Sequence, residues 1–251
     1  MVAPPTAVER EDGLGARVAA SPPGGVRYRV RAVWKTLQGE GFWAGRPAVF
    51  VRLAGCNMWD GEPAHRARDH ARTGAGCALF CDTEFRVRGS VRLNAQDLVA
   101  EVVRVAGPVR FAVLTGGEPL LQADAELVAA LHAAGFTVAV ETNGTQTLQG
   151  AFGADAAHHP DWVVVSPKLP DAATVIEACD EVKLVVPDYQ PAAYPALAAR
   201  VRPHAVAGRL LWVQPEDGPR LAEASRLAVE IALADPAWRV SVQGHKALGV
   251  D

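Results

Sequence analysis

The chain has 251 residues, 49% of them hydrophobic, with 25 basic and 28 acidic side chains and a formal net charge of −3. That length and apolar content suit one α/β domain with a sizeable core, and the near-balanced charge excludes binding to nucleic acid or membrane by bulk positive charge. No apolar run reaches the roughly 18–20 residues that a membrane span requires, and Met1–Asp12 lacks the apolar stretch of a secretory signal, so a cytoplasmic, reducing location is expected for the four cysteines.

Residues 1–26 are rich in Pro, Gly and Ala and lack sustained periodicity. They predict a disordered N-terminal tail ahead of a single domain over residues 27–251. Val26–Thr36 alternates as a strand does, and Pro47–Leu53 (PAVFVRL) reads as a buried strand. Asn94 can cap a helix over Ala95–Ala106, with Asp97 and Glu101 near its start and Leu98, Val102 and Val105 on one face. Arg110–Leu114 is a strand, and Asp124–Ala134 a helix that stops at Gly135. Strands follow over Phe136–Val140, Trp162–Val165 and Glu181–Val186, then a helix around Pro191–Val201. A strand over Leu210–Val213, a helix over Leu221–Ala234 and a strand over Arg239–Val242 complete the chain. Strands separated by helices imply right-handed crossovers and a mostly parallel sheet. Six repeated strand units from Pro47 to Val213 are too few for an eightfold barrel. They predict an open, partial (β/α)6 barrel with small flanking strands.

In parallel α/β folds, ligands bind beyond the C-terminal ends of the strands. That rim collects Cys56, Thr115–Pro119, Glu141–Gly144, Ser166–Lys168, Gln214–Asp217 and Gln243–His245. Singly, each has an ordinary reading: Gly116-Gly117 as a tight turn, Asp217 as a helix cap, Thr83 as a capping hydroxyl, Glu40 and Lys168 as solvated loop charges. Arg52 differs, because a charge inside the apolar run Val49–Leu53 is costly without a partner. Cys179 precedes its strand, falls on the opposite rim and reads as a small core hydrophobe. Cys56, Cys77 and Cys81 are spaced C-x20-C-x3-C. They suit structural zinc with His65 or His70 as fourth ligand, unliganded buried thiols, or a [4Fe–4S] cluster on three thiolates with one iron open to a small molecule. Spacing alone leaves all three open.

The motifs LQGEG (Leu37–Gly41), RLAGCN (Arg52–Asn57), CDT (Cys81–Thr83), TGGEP (Thr115–Pro119), ETNGT (Glu141–Thr145), SPK (Ser166–Lys168), QP (Gln214-Pro215) and HKALG (His245–Gly249) occur in that order. As an ordered set they resemble the radical S-adenosylmethionine (SAM) superfamily and, within it, the 7-carboxy-7-deazaguanine synthases of 7-deazapurine and queuosine biosynthesis. The resemblance runs from about Tyr28 to Asp251. The long first cysteine gap is similar to that of some members. The C-x3-C pair departs from the usual C-x2-C of the superfamily.

The resemblance implies a lyase that depends on SAM and Mg²⁺. It would convert 6-carboxy-5,6,7,8-tetrahydropterin to 7-carboxy-7-deazaguanine, with loss of ammonia, by a ring contraction that a 5′-deoxyadenosyl radical starts. Cys56, Cys77 and Cys81 would ligate the [4Fe–4S] cluster, and no side chain beyond cluster and SAM would be catalytic. SAM would lie against Phe80, Asp82, Gly116, Gly117, Glu118, Ser166, Lys168, Gln214, Pro215, Glu216 and Asp217, with Glu118 accepting from its ammonium. Thr83 would hold Mg²⁺. Arg52 would take the substrate carboxylate, and Gln38, Glu40 and Glu141 its aminopyrimidine edge. Leu37, Gly39, Thr115, His245 and the terminal carboxylate of Asp251 would complete the substrate site. An electron donor such as flavodoxin or ferredoxin and a homodimer are implied, without direct nucleic-acid or membrane contact. Rival readings are a radical SAM activase acting on a protein glycine, for which the extra ferredoxin-like cysteines are missing, and a zinc-stapled binding protein. The sequence gives no account of Asn57–Gly76.

Overall fold

The computed structural model describes Leu14 and residues 28–250. The expected tail over residues 1–26 therefore lies outside the described residues, apart from Leu14, which is buried in the main core.

The chain begins with strands β1 (Tyr28–Leu37) and β2 (Pro47–Leu53), helix α1 (Arg66–Thr73), strand β3 (Val91–Leu93) and helix α2 (Ala95–Ala106). The repeat then runs through β4 (Phe111–Gly116), α3 (Ala125–Ala133), β5 (Thr137–Thr142), α4 (Leu148–Phe152), β6 (Trp162–Val165) and β7 (Glu181–Val186). It closes with α5 (Pro195–Ala199), β8 (Leu210–Pro215), α6 (Leu221–Ala234), β9 (Trp238–Val240) and α7 (Gly244–Leu248). One nine-stranded sheet has the order β3-β1-β2-β4-β5-β6-β7-β8-β9. Every neighbour pair from β2 to β9 is parallel, whereas β1 is antiparallel to both β2 and β3. The sheet stays open between β3 and β9. β2 and β4 to β8 are the repeated units of the expected partial barrel, and β1, β3 and β9 are its flanking strands.

Local chemistry sets these elements. The Asn94 side chain accepts from Asp97 N–H at 2.8 Å and starts α2; Asp124 does the same for Leu127 at 3.0 Å and starts α3. Leu98 and Val102 of α2 are fully buried against the sheet, each worth roughly 1.5–3 kcal/mol. On the other face, Trp34, Phe50, Phe111, Val113 and Ala139 form a smaller core with Trp43 and Trp162 packed against it. Cys179 is fully buried in the main core and bridges to Val201, as expected from its position.

Departures from the sequence reading have local causes. The helix expected around Pro191–Val201 splits into a 3-10 turn over Pro191–Ala193 and α5. Pro195 excludes Tyr194 from helical backbone, and Tyr194 sits at φ −131°, ψ 43°. Helix α1 (RARDHART) buries only Asp69, so it has no apolar stripe to announce it. β3, α4 and α7 are three to five residues long and fall below the reach of periodicity. β4 and β8 run on to Gly116 and Pro215, carrying the sheet into the motifs that lie beyond it.

Candidate active site

The cysteines converge at the C-terminal ends of the parallel strands. Cys56 follows β2, Cys77 lies in a 3-10 turn over Gly76–Leu79, and Cys81 closes that turn. Cys81 N–H donates to the Cys77 carbonyl at 2.8 Å. This is a helix-like i→i+4 turn, which turns residues four apart to one side. The extra residue of the C-x3-C pair is thus absorbed as backbone geometry. All three thiols line one cavity of about 250 Å³.

The Asn57–Gly76 segment now has a physical role. Met58, Trp59, Ala75, Ala78 and Phe85 form a small core against which the three cysteines pack. The Arg66 guanidinium stacks on Trp59 at 4.2 Å and donates to the carbonyls of Ala78 (3.0 Å) and Cys81 (2.8 Å). An arginine of α1 thereby caps the cysteine turn.

Burial pushes the Cys56 thiol up to about 12, with Cys77 adding to the effect, and the Cys77 thiol up to about 11, with Cys81 adding. A metal that binds here must displace those protons, and a multi-iron cluster supplies the charge to do so. Neither histidine of the zinc reading lines the cavity of the three thiols. His65 pairs with Asp60 at 2.7 Å and His70 with the Ala75 carbonyl at 3.1 Å. Among the described residues, no three His, Cys, Asp or Glu side chains converge on a single ion. A cluster places each thiolate on a different iron, which suits three thiols around one cavity.

The glycines of TGGEP are needed for packing against the cysteine strand. A Cβ on Gly116, at φ +147°, would lie 2.1 Å from the Leu53 carbonyl oxygen. On Gly117 it would lie 2.3 Å from the Gly55 carbonyl oxygen and 2.5 Å from Cys56 Cβ. Glu118 departs from its expected place. Its carboxylate is fully buried and accepts from Leu120 N (2.9 Å), Thr142 Oγ1 (2.7 Å) and Asn143 N (2.7 Å). It faces inward to hold the ETNGT loop, and its side chain does not line the cavity. Asn57 continues this join: it donates to Thr145 Oγ1 at 2.7 Å and accepts from Asn143 Nδ2 at 2.9 Å.

Phe80, Asp82, Thr83, Gly116, Gly117, Ser166, Lys168, Gln214, Pro215, Glu216 and Asp217 line the same cavity as the cysteines. Lys168 donates to Ser166 Oγ at 2.6 Å, and burial lowers its pKa. An adjoining cavity of about 410 Å³ is lined by Leu37, Gln38, Gly39, Glu40, Arg52, Thr115, Glu141 and His245. Asp82, Thr83, Thr115, Glu40, Glu141 and Gln243 border both. Arg52 lies over the Trp34 ring at 4.7 Å. Gly39 is pressed against His245, whose Nδ1 would be 1.9 Å from a Cβ there. Asp251 lies outside the described residues.

Sequence reasoning missed several lining groups. Lys183 of β7 is buried and paired with Glu40, whose other oxygen accepts from Gln243 Nε2 at 2.9 Å. The signal that drew attention to Arg52, a charge inside an apolar strand, was present in EVKLVV as well. Lys246 of α7 donates to Asp82 at 2.9 Å and to Asp217, bridging two rim loops. Tyr189 Oη accepts from Cys77 N–H and donates to the Lys168 carbonyl, both at 3.3 Å.

No protein-family model matches the chain. A protein named 7-carboxy-7-deazaguanine synthase from Bradyrhizobium diazoefficiens is 41% identical over 232 residues, covering 89% of this chain and 99% of that protein. Proteins of the same name from Bordetella pertussis and Caulobacter vibrioides are each 43% identical, with the same shares covered. The crystal structure of QueE from Escherichia coli is similar at a TM-score of 0.61 and 27% identity, over 87% of this chain and 95% of that one.

Proposed function

The chain belongs to the 7-carboxy-7-deazaguanine synthase family, and from that premise we propose how its two adjoining cavities perform the reaction. The chain converts 6-carboxy-5,6,7,8-tetrahydropterin to 7-carboxy-7-deazaguanine with loss of ammonia, in 7-deazapurine and queuosine biosynthesis. It acts as a lyase dependent on SAM and Mg²⁺. When bound, a [4Fe–4S] cluster and SAM supply the one-electron chemistry that starts the ring contraction.

Cys56, Cys77 and Cys81 hold the cluster. Gly116 and Gly117 keep the end of β4 against the cysteine strand, and their backbone would face SAM when it is bound. Ser166, Lys168, Gln214, Glu216 and Asp217 line this cavity with Phe80 and Pro215; the first five would give SAM polar partners, and the last two apolar surface for its adenosine. Arg52 pairs with the substrate carboxylate as a two-pronged donor. Glu40 and Glu141 accept from the aminopyrimidine N–H edge, with Gln38 donating to Glu141 at 3.0 Å to orient it. Thr83 borders both cavities and offers an oxygen to Mg²⁺, a hard cation that keeps several waters. The apolar wall of Met58, Trp59 and Phe85 excludes water beside the cysteines. A one-electron donor of the flavodoxin or ferredoxin kind, a homodimeric state and a cytoplasmic setting complete the reading. No helix among the described residues is long and apolar enough to cross a membrane.

The carrying observation is the shared border: the cavity with three thiols and the one lined by Arg52 have Glu40, Thr83 and Glu141 among their common lining residues. Anaerobic purification followed by a product assay tests it. Iron with sulfide and formation of 7-carboxy-7-deazaguanine are expected. Stoichiometric zinc without sulfide, or no product from a loaded enzyme, would overturn it.

A further inference from the structure

Strand β7 alternates strictly. Val182, Leu184 and Val186 face the helical core, all fully buried, so Glu181 and Lys183 point the other way, and Lys183 lines the cavity of the three cysteines. Lys183 is only 6% exposed and lies among three carboxylates. Its ammonium pairs with Glu40 and feels the charges of Glu141 and Glu181. Glu181 is occupied otherwise, accepting from Phe42 N at 2.7 Å and Trp162 Nε1 at 2.6 Å. Glu40 and Glu141 border the cavity given above to the pterin.

We propose that Lys183 is a positioning residue for substrate selection: its ion pair holds the Glu40 carboxylate as an acceptor beside Glu141, so that the site accepts a 2-amino-4-oxo ring edge and rejects its 2-oxo counterpart. This rests on the reading of the cleft as a pterin site.

A carboxylate with little water around it does not stay ionised unless a cation or hydrogen-bond donors stand with it. Burial alone would push the Glu40 carboxyl up; the charge and hydrogen bond of Lys183 outweigh it and hold the group at about 2, with Gln243 and His245 adding to the effect. The charged or titratable groups around Glu40 are Lys183 of β7 and His245 of α7, with Glu141 of β5, Arg52 of β2, Asp82 and Lys246 lining the same cavity and Lys168 beyond them. A carboxylate offers only acceptors, which match the ring N–H and exocyclic amine of a 2-amino-4-oxo edge. A 2-oxo edge sets a carbonyl against that carboxylate and leaves it unpaired, and sites built on hydrogen bonds reject such analogues strongly.

The test uses holoprotein with SAM and two fluorescent, unreduced probes: 6-carboxypterin and its 2-oxo counterpart, 6-carboxylumazine. Fluorescence quenching gives affinities without turnover, on wild type, Lys183→Met, Lys183→Arg, Glu40→Gln and the double variant Glu40→Gln/Lys183→Met. Wild type is expected to prefer the pterin by about a hundredfold or more. Lys183→Met should bind it about tenfold more weakly than wild type near pH ~5.5, with the deficit shrinking toward pH ~7.5 as Glu40 re-ionises. Lys183→Arg should restore most of the affinity, and Lys183→Met should add little in the Glu40→Gln background. Lys183→Gln, which keeps a donor without the charge, carries the same comparison if the Met variant does not fold. A deficit equal at every pH, or additive with Glu40→Gln, or no deficit, would overturn the role of Lys183 alone. Absence of pterin binding by wild type would instead overturn the reading of the cleft.

Discussion

Asn143 donates its backbone N–H to the Glu118 carboxylate at 2.7 Å, and this bond ties the loop after β4 to the loop after β5. Leu120 N–H and the Thr142 hydroxyl donate to the other oxygen of the carboxylate. Three donors face one acceptor group in a site without exposure. Glu118→Gln keeps the shape but turns an amide N–H₂ toward at least one donor. A loss of about 2–4 kcal/mol in unfolding free energy is expected from urea titration. A change below about 0.5 kcal/mol would contradict this account of Glu118.

Gly117→Ala tests the approach of β4 to the cysteine strand. Its Cβ would meet the Gly55 carbonyl oxygen at 2.3 Å and Cys56 Cβ at 2.5 Å. The oxygen is backbone and cannot swing aside, so Cys56 must shift. Iron bound per chain after anaerobic reconstitution should fall to less than about half of wild type. Gly153→Ala is the control for glycine replacement: its φ is +82° but nothing lies near the added carbon. It should cost about 1–3 kcal/mol, because at ψ −176° its backbone is one that glycine alone adopts readily, and leave iron content unchanged.

Arg66→Met keeps the apolar stem and removes the two donors to Ala78 and Cys81. The cysteine turn then loses its cap outside the cavity. Expected outcomes are a stability loss of about 1–3 kcal/mol and slower reconstitution, read as the rate of growth of visible cluster absorbance. Equal rates for variant and wild type would remove Arg66 from any part in cluster assembly.

Cys77 and Cys179 provide a paired comparison. Cys179 is fully buried in the main core and does not line the cavity. Cys179→Ala should cost about 1 kcal/mol and keep full iron content. Cys77→Ala should abolish iron retention with little change in the fold measured by far-ultraviolet circular dichroism. Iron loss in both variants would break the division of the cysteines into three ligands and one core residue.

Acid stability follows from Glu40. Lys183 holds its carboxyl at about 2, below the ordinary 4.5. A group depressed in the folded state contributes stability that is present above its unfolded value and disappears as pH falls through the folded one. Urea midpoints should therefore decline between about pH 4.5 and pH 2. Glu40→Gln should flatten that part of the curve while lowering the midpoint near neutrality. An unchanged slope would show that other carboxylates govern acid unfolding.

Most of the order of strands and helices was legible because the longer elements carry their own periodicity and, in α2 and α3, side-chain caps. Trp162–Val165, Glu181–Val186, Ala95–Ala106 and Leu221–Ala234 have the same limits in sequence and structure. The placing of motifs beyond strand ends was legible for the same reason, since a parallel sheet sends all those ends to one side. Tertiary structure alone decided what the polar side chains of those loops face. Nothing local says that Glu118 turns inward, that Lys183 reaches Glu40 across 143 positions, or that Lys246 joins Asp82 across 164. Helix α1 was silent because it buries one aspartate and no apolar stripe. Hydrophobic periodicity is a local property of the chain and fixes the scaffold; the pairing of buried charges depends on which distant segments the scaffold brings together.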